Sequence, residues 1–126
     1  MGLVLQYGDG VNPCHATAAD IDPGEAARLI AAGAFLLDVR EDAEWEAGHA
    51  PEAVQVAMGL ISERIGEIPR DRTVVCICRV GGRSGTVATT LAGAGYDVRN
   101  IAGGMLAWEQ AGLSVVTDGG DTGRII

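Results

Sequence analysis

Apolar runs that lack polar alternation mark the candidate strands of this chain. Residues 35–39 (FLLDV) form a continuous apolar run broken only by an aspartate, and residues 73–77 (TVVCI) contain threonine and valines of high β-propensity. A strand that is covered on both faces has this composition, whereas a strand with one face in water alternates apolar and polar residues. The runs therefore favour a parallel sheet that lies between layers of helices.

Helical patterns lie between these runs. Asp22 predicts an N-cap for a helix that ends near Gly33, with Pro23 in its first turn and Glu25 placed to complete a capping box. Further helices are predicted in the segments EDAEWEAG, LISERIGEI, SGTVATTLAGAG and MLAWEQAG, and further strands in AVQVA and DVRNI. Strands that alternate with helices over about 100 residues predict an α/β fold with a central, mainly parallel sheet.

The length of 126 residues suits one domain with one site. Residues 1–15 carry glycine, asparagine and proline and are interpreted as an N-terminal extension, with a candidate short strand in LVLQY. The folded domain is predicted at residues 16–115. Residues 116–126 are predicted to form a flexible C-terminal tail outside the core.

The chain is acidic, with 17 acidic residues, 9 basic residues and a formal net charge of −8. It contains no lysine, so every fixed positive side chain is an arginine. Because an acidic surface repels phosphate backbones and anionic lipids, nucleic acid and membranes are disfavoured as partners. The longest apolar run, LIAAGAFLL, is too short to cross a bilayer, and the N-terminus lacks a signal-like pattern, so we expect a cytoplasmic protein.

The three cysteines, Cys14, Cys76 and Cys78, form an odd set without regular spacing. This pattern argues against a secreted disulfide framework. Cys76 lies within VVCI and is interpreted as a core residue. Cys14 next to His15 fits no ordinary zinc pattern, so no metal site is predicted.

Residues 78–85 (CRVGGRSG) lie where a candidate strand passes into a candidate helix. In parallel sheets, ligands bind at the edge formed by the carboxyl ends of the strands, which is where this loop is predicted to lie. A free thiol has a pKa of about 8.5 and is mostly protonated at neutral pH. The helix start at Ser84 and the guanidiniums of Arg79 and Arg83 would each favour the thiolate of Cys78.

The glycines of this loop allow the backbone to curl around one sulfur atom. Gly81 and Gly82 permit dihedral angles that other side chains would block. Successive N–H groups that point into one hollow form an anion-binding nest. The loop is therefore a candidate site for a reactive thiolate and an anionic substrate.

Three stretches, in order, resemble the rhodanese family of sulfurtransferases. The loop CRVGGRS is similar to the family's active-site loop at Cys78, Gly81, Arg83 and Ser84. LLDVREDAEWEAGHAPEAVQV resembles the family's aspartate and arginine segment with its later glycine and histidine, and IAGGMLAW resembles its closing glycine pair and tryptophan. The resemblance implies a single-domain rhodanese-like fold with a five-stranded sheet and helices on both faces.

The resemblance also implies a two-step sulfur transfer. Cys78 would attack the outer sulfur of a donor such as thiosulfate, release sulfite and keep a persulfide, which a thiol, cyanide or protein acceptor would remove. No metal or organic cofactor is implied. The substrate-binding residues that the matched loop implies are Arg79, Val80, Gly81, Gly82, Arg83 and Ser84.

Other matched residues are interpreted as structural support. Asp38, Arg40 and His49 are expected to make buried hydrogen bonds, although His49 is also considered as a general base. Trp45 and Trp108 are expected to pack in the fold. Cys76 could share one side of the strand with Cys78, and a resolving-thiol role for it is the minor interpretation.

Two other functions are considered. Phosphatases and arsenate reductases of related fold have five residues between cysteine and arginine, whereas four separate Cys78 from Arg83, and a smaller hollow suits sulfur better than phosphate. A non-catalytic interaction module would not need Cys78. A persulfide carrier that exchanges sulfur with protein partners is kept as an alternative to thiosulfate sulfurtransferase activity.

Overall fold

A five-stranded parallel sheet organises residues 18–126, which are the residues that the computed structural model describes. The strand order is β1-β5-β4-β2-β3, and every neighbouring pair is parallel. The predicted α/β fold with a mainly parallel sheet is confirmed. The strands are β1 (Ala19–Ile21), β2 (Phe35–Asp38), β3 (Val54–Gln55), β4 (Val74–Ile77) and β5 (Val98–Ile101).

Within the described part of the chain, four α-helices connect the strands or follow the last one. In chain order they are α1 (Pro23–Ala31), α2 (Asp42–Ala47), α3 (Gly82–Gly93) and α4 (Gly104–Gln110). None of the helices among residues 18–126 is both long enough and apolar enough to span a membrane.

Helix α1 begins as its sequence predicts. The Asp22 side chain accepts the backbone N–H of Glu25 at 2.8 Å, and Pro23 occupies the first turn. The carboxylate of Glu25 accepts from Arg28 at 3.0 Å, so the expected capping box is replaced by an ion pair one turn along the helix.

The segment LISERIGEI does not form the predicted α-helix. Two 3-10 turns, Met58–Leu60 and Ile65–Glu67, occupy this region instead. Gly66 weakens a helix here, and the hydroxyl of Tyr96 donates to the carbonyl of Ile68 at 3.1 Å, a carbonyl at the end of the predicted helix. Tertiary contacts therefore override the helical spacing of the isoleucines.

Alternate residues of β4 face two separate cores. Val74 and Cys76 lie in one core with Val87 and Leu91 of α3. Val75 and Ile77 lie in the other core, whose members from α1 and α4 include Ala26, Met105 and Trp108. Helices therefore cover both faces of the sheet, which explains the continuous apolar strands.

The C-terminal segment, residues 115–126, pairs with the end of α2 and the residues that follow it. His49 and Val116 exchange two backbone hydrogen bonds, of 2.9 and 2.8 Å, and the Arg124 N–H donates to the carbonyl of Ala47 at 2.8 Å. A Cβ on Gly48 or Gly123 would overlap the backbone of the other segment, so both glycines permit a close approach. Val116 and Arg124 thus contact the chain around His49, and the flexible tail predicted at residues 116–126 stays a prediction. The predicted N-terminal extension and its LVLQY strand lie outside the described residues.

Candidate active site

Cys78 follows the last residue of β4 at the carboxyl edge of the sheet. Helix α3 begins at Gly82, two residues before the predicted start, and its N-cap Gly81 has φ +107°, a left-handed conformation that favours glycine. Cys78 is only 1% exposed. The sulfur therefore lies at the base of a short loop that leads directly into the first turn of a 12-residue helix.

Hydrogen bonds surround the Cys78 sulfur. The Gly81 N–H donates to Sγ at 3.1 Å, and the Ser84 hydroxyl lies 3.3 Å from it. Burial by itself raises the pKa of the Cys78 thiol, but the Ser84 hydroxyl and the N–H groups of Ser84, Gly81 and Val80 together outweigh burial and lower it. The loop thus favours the nucleophilic thiolate.

Asn100 of β5 competes for the Ser84 hydroxyl hydrogen. Ser84 Oγ lies 2.6 Å from Asn100 Oδ1, and Asn100 Nδ2 donates to Asp20 at 3.1 Å and to the Gly81 carbonyl at 3.2 Å. Because two acceptors lie beside Nδ2, this end of the Asn100 amide is the NH2 group, and the oxygen Oδ1 faces the Ser84 hydroxyl. Because one hydroxyl hydrogen cannot serve Asn100 and Cys78 at once, the backbone N–H groups are the constant donors to sulfur.

The first turn of α4 contacts the loop from the other side. The Met105 N–H donates to the Cys78 carbonyl at 2.8 Å, and the Leu106 N–H donates to the Arg79 carbonyl at 3.1 Å. Gly104 has φ +56°, and a Cβ on it would overlap both carbonyl groups. With its carbonyls bound to α4, the loop presents its N–H groups to the sulfur.

Arg83 is held in an ion pair with Glu44 of α2. Its two terminal nitrogens donate to the two carboxylate oxygens of Glu44, each at 2.8 Å. This bidentate contact lowers the pKa of Glu44 to about 2 and raises the pKa of Arg83. Arg83 therefore anchors the loop to α2 in addition to lying beside Cys78.

The remaining loop residues predicted to bind substrate face outward. Arg79 is exposed, and its Nε donates to the Ile126 carbonyl at 3.0 Å. Val80 is 55% exposed, and Gly82 is also exposed. All six predicted residues thus lie in the loop or in the first turn of α3, and Gly81 and Ser84 contact the Cys78 sulfur.

Asp38 and Arg40 form a fully buried ion pair next to α2, with Arg40 Nη2 2.8 Å from Asp38 Oδ2. Arg40 also donates to the Gly48 carbonyl at 2.8 Å and to the Glu44 carbonyl at 3.3 Å. These bonds place α2, and hence the Glu44 carboxylate, relative to the sheet.

Both ring nitrogens of His49 face oxygen atoms. Nδ1 lies 3.0 Å from the Ala50 carbonyl, Nε2 lies 2.8 Å from the Asp118 carboxylate, and the ring stacks on Trp45 at 3.5 Å. These partners lie in α2, directly after it in the chain, and in the C-terminal segment. They favour a structural role for His49 over proton transfer at Cys78.

Cys76 is fully buried in the core. Burial, and then the charge of Cys78, raises the pKa of Cys76 to about 12, which disfavours the resolving-thiol interpretation. Among residues 18–126, no group of three or more His, Cys, Asp or Glu side chains could hold a metal ion. Cys14 and His15 lie outside the described residues.

Sequence reasoning missed two residues beside the loop, Asn100 and Glu44. Asn100 is a polar residue in the strand segment DVRNI, and such a residue near a strand's carboxyl end is a sequence signal for a site. Glu44 lies in the stretch that carried the family resemblance. Nothing local indicated that it would meet Arg83, which lies 39 residues later.

Comparisons with known proteins show which proteins this chain resembles. A family model described as the rhodanese-like domain matches residues 22–111. A protein of Allochromatium vinosum named sulfurtransferase is 44% identical over 87 residues, which cover 68% of this chain and 81% of that protein. A Pseudomonas syringae protein named thiosulfate sulfurtransferase GlpE is 35% identical over 89 residues, which cover 70% of this chain and 84% of that protein.

A solved structure extends the comparison to the fold. The crystal structure of a rhodanese-related protein from Thermoplasma volcanium matches with a TM-score of 0.75 at 26% identity and covers 79% of this chain and 99% of that chain. The matched residues 22–111 contain Cys78, its loop and Glu44. The chain therefore belongs to the rhodanese-like domain family.

Proposed function

We propose that this protein is a sulfurtransferase that carries a sulfane sulfur on Cys78. The observation that carries the proposal is the Cys78 sulfur itself, which accepts the Gly81 N–H at 3.1 Å at the start of α3. This environment lowers the pKa of Cys78 although burial opposes ionisation. Two relatives that bear sulfurtransferase names, at 44% and 35% identity, support the same reaction class.

In the first step the Cys78 thiolate attacks the outer sulfur of the donor. A bond forms between Sγ and that sulfur, the donor's S–S bond breaks, and its electron pair leaves with the remainder of the donor. With thiosulfate as donor, the leaving group is sulfite. The electron pair of the Cys78 thiolate becomes the new S–S bond, the pair of the broken bond gives sulfite its second negative charge, and the terminal sulfur keeps the charge that it carried in thiosulfate, so charge and electrons balance.

In the second step a nucleophilic acceptor attacks the terminal persulfide sulfur. The acceptor, which we propose to be a thiol, cyanide or a protein thiolate, forms a bond to that sulfur and Cys78 leaves as the thiolate. The N–H groups of Val80, Gly81 and Ser84 that face Sγ would stabilise the negative charge in both steps. No proton needs to leave Cys78 during either attack, so His49 is not required as a base.

Thiosulfate as the donor is a finer proposal that rests on two relatives with thiosulfate in their names, at 35% and 33% identity. Arg79 is exposed beside Cys78 and can contact an anionic donor. A phosphatase or arsenate reductase reaction is less well supported. Both terminal nitrogens of Arg83 already bind Glu44, and Cys78 is only 1% exposed, which suits one entering sulfur atom better than a tetrahedral oxyanion.

Intact-protein mass spectrometry after treatment with thiosulfate tests the proposal. We expect the mass of one added sulfur atom, which disappears on addition of cyanide or dithiothreitol. Cys78→Ser should show no adduct, whereas the matched control Cys76→Ser should retain it. An adduct of equal yield in Cys78→Ser, or no adduct with thiosulfate or with cysteine persulfide, would contradict the assignment.

A further inference from the structure

The Glu44 carboxylate binds the guanidinium of Arg83, the loop arginine that the family resemblance predicts to bind substrate. Both of its oxygens accept from Arg83 at 2.8 Å, and the Glu44 side chain is only 16% exposed. Bidentate pairs of this kind are stronger than single contacts between exposed side chains. An entering anion therefore meets an arginine whose charge is already neutralised.

Three further contacts restrict the movement of Glu44 away from Arg83. The backbone N–H of Glu41 donates to Glu44 Oε1 at 3.1 Å as part of the capping box of α2. The Glu44 carbonyl accepts from Arg40 at 3.3 Å, and Arg40 is held by the buried Asp38 carboxylate. The carboxylate is thus fixed by the fold.

The charges near Arg83 are mostly negative. The Glu44 carboxylate, the ionised Cys78 sulfur and the Glu41 carboxylate each act on the Arg83 guanidinium and raise its pKa. One guanidinium thus faces two carboxylates and a thiolate. Because Coulomb repulsion is proportional to the charge of the incoming molecule, a dianion is disfavoured twice as strongly as a monoanion.

We propose that Glu44 is a specificity-determining residue that biases Cys78 against doubly charged thiosulfate and toward donors of lower charge, namely persulfides of small thiols or proteins. This inference rests on the proposed sulfur transfer and names its donor class. In the favoured reaction Cys78 attacks the outer sulfur of the persulfide, the donor S–S bond breaks, and its electron pair leaves on the donor thiolate. The sulfane sulfur is transferred without a separate oxidant or reductant.

The test uses the full chain with Glu44→Gln, since glutamine can still accept the capping hydrogen bond from Glu41. The matched control is Glu67→Gln, which removes one carboxylate from the exposed Glu67–Arg64 pair. Glu41→Gln is the second variant, because it removes a charge near Arg83 and leaves the bidentate contact in place. We expect Glu41→Gln to raise the rate at which Cys78 gains sulfur from thiosulfate by about twofold, which is a smaller increase than for Glu44→Gln.

The first readout is the rate at which Cys78 gains sulfur from thiosulfate or cysteine persulfide, followed by mass spectrometry. The second is alkylation of the Cys78 peptide by iodoacetate and by iodoacetamide, which differ by one negative charge. Rates are normalised to iodoacetamide, so that a changed reactivity of the thiolate cancels. For Glu44→Gln we expect a gain of about tenfold with thiosulfate, and of no more than about threefold with cysteine persulfide and with iodoacetate.

The outcomes separate the two proposals. Suppose that Cys78 gains sulfur but that Glu44→Gln and Glu67→Gln change the rate of uptake from thiosulfate equally. The proposed role of Glu44 is then wrong, whereas the proposed sulfur transfer is retained. The same conclusion follows if both donors change equally. If Cys78 gains sulfur from neither donor, the proposed function and its donor class are both overturned, and the alkylation ratio still shows whether Glu44 sets the charge at Cys78.

Discussion

The backbone N–H of Met105 donates to the carbonyl oxygen of Cys78 at 2.8 Å, so the first turn of α4 supports the loop at the residue that carries the thiol. The close approach depends on Gly104, because any Cβ there would overlap the carbonyl groups of Cys78 and Arg79. This contact gives the glycine pair of the segment IAGGMLAW a physical role. It turns the loop carbonyls toward α4 and leaves the N–H groups for the sulfur.

Gly104→Ala should lower the free energy of unfolding by about 3 kcal/mol, since it adds a steric overlap to the strain of a left-handed residue. Gly112→Ala is the matched control. Gly112 also has positive φ, +80°, but a Cβ there would meet no atom within 4 Å, so we expect a loss of about 1 kcal/mol. Urea denaturation measures both values. If both variants lose the same free energy of unfolding, the close approach of Gly104 to the Cys78 and Arg79 carbonyls does not contribute to stability.

Ser84→Ala should raise the pKa of Cys78, because it removes a side-chain donor beside Sγ while the backbone donors stay. As pH falls, the variant should lose thiolate earlier than the unmodified protein. Near pH 6 we expect its alkylation by iodoacetamide to be about threefold slower, with little difference at high pH. Thr86→Ala, which alters an exposed hydroxyl in the same helix, serves as control. Identical pH profiles would show that the hydroxyl serves Asn100 alone.

The Glu44–Arg83 pair should make stability depend on pH in a defined window. The pKa of Glu44 is lowered from 4.5 to about 2, so its contribution is complete above pH 4.5 and is lost as pH falls toward 2. The free energy of unfolding of Glu44→Gln should therefore lie below that of the unmodified protein at neutral pH. The difference in the free energy of unfolding between the two proteins should narrow as pH falls from 4.5 to about 2. A difference that stays constant down to pH 2 would contradict the assigned pairing.

Asp118→Asn should loosen the C-terminal segment. The Asp118 carboxylate lies 2.8 Å from His49 Nε2 and accepts the indole N–H of Trp45 at 3.4 Å, so the substitution weakens the contact with the chain around α2. Hydrogen exchange at residues 115–124 should become faster, by about tenfold or less. Asp121→Asn changes an exposed aspartate of the same segment and should have a smaller effect. If both variants exchange equally fast, Asp118 does not hold the segment.

Local chemistry explains which elements the sequence predicted well. The cap at Asp22 and the strand that ends before Cys78 are set by residues within a few positions of each other, so their patterns are visible in the sequence. The predicted helix at LISERIGEI was wrong, because two 3-10 turns, Met58–Leu60 and Ile65–Glu67, occupy this region and the hydroxyl of Tyr96, from a distant part of the chain, donates to the last carbonyl of the segment. Spacing alone does not distinguish these outcomes.

By itself the sequence determined the α/β order of the chain and a loop with four residues between Cys78 and Arg83, because these features depend on neighbouring residues. Only the tertiary structure decided the electrostatics of that loop. Asn100 reaches Ser84 across 16 positions, and Glu44 reaches Arg83 across 39. Such contacts exist only after the sheet has brought distant segments to one edge, since the charge and hydrogen-bond partner that a side chain meets depend on distance in space.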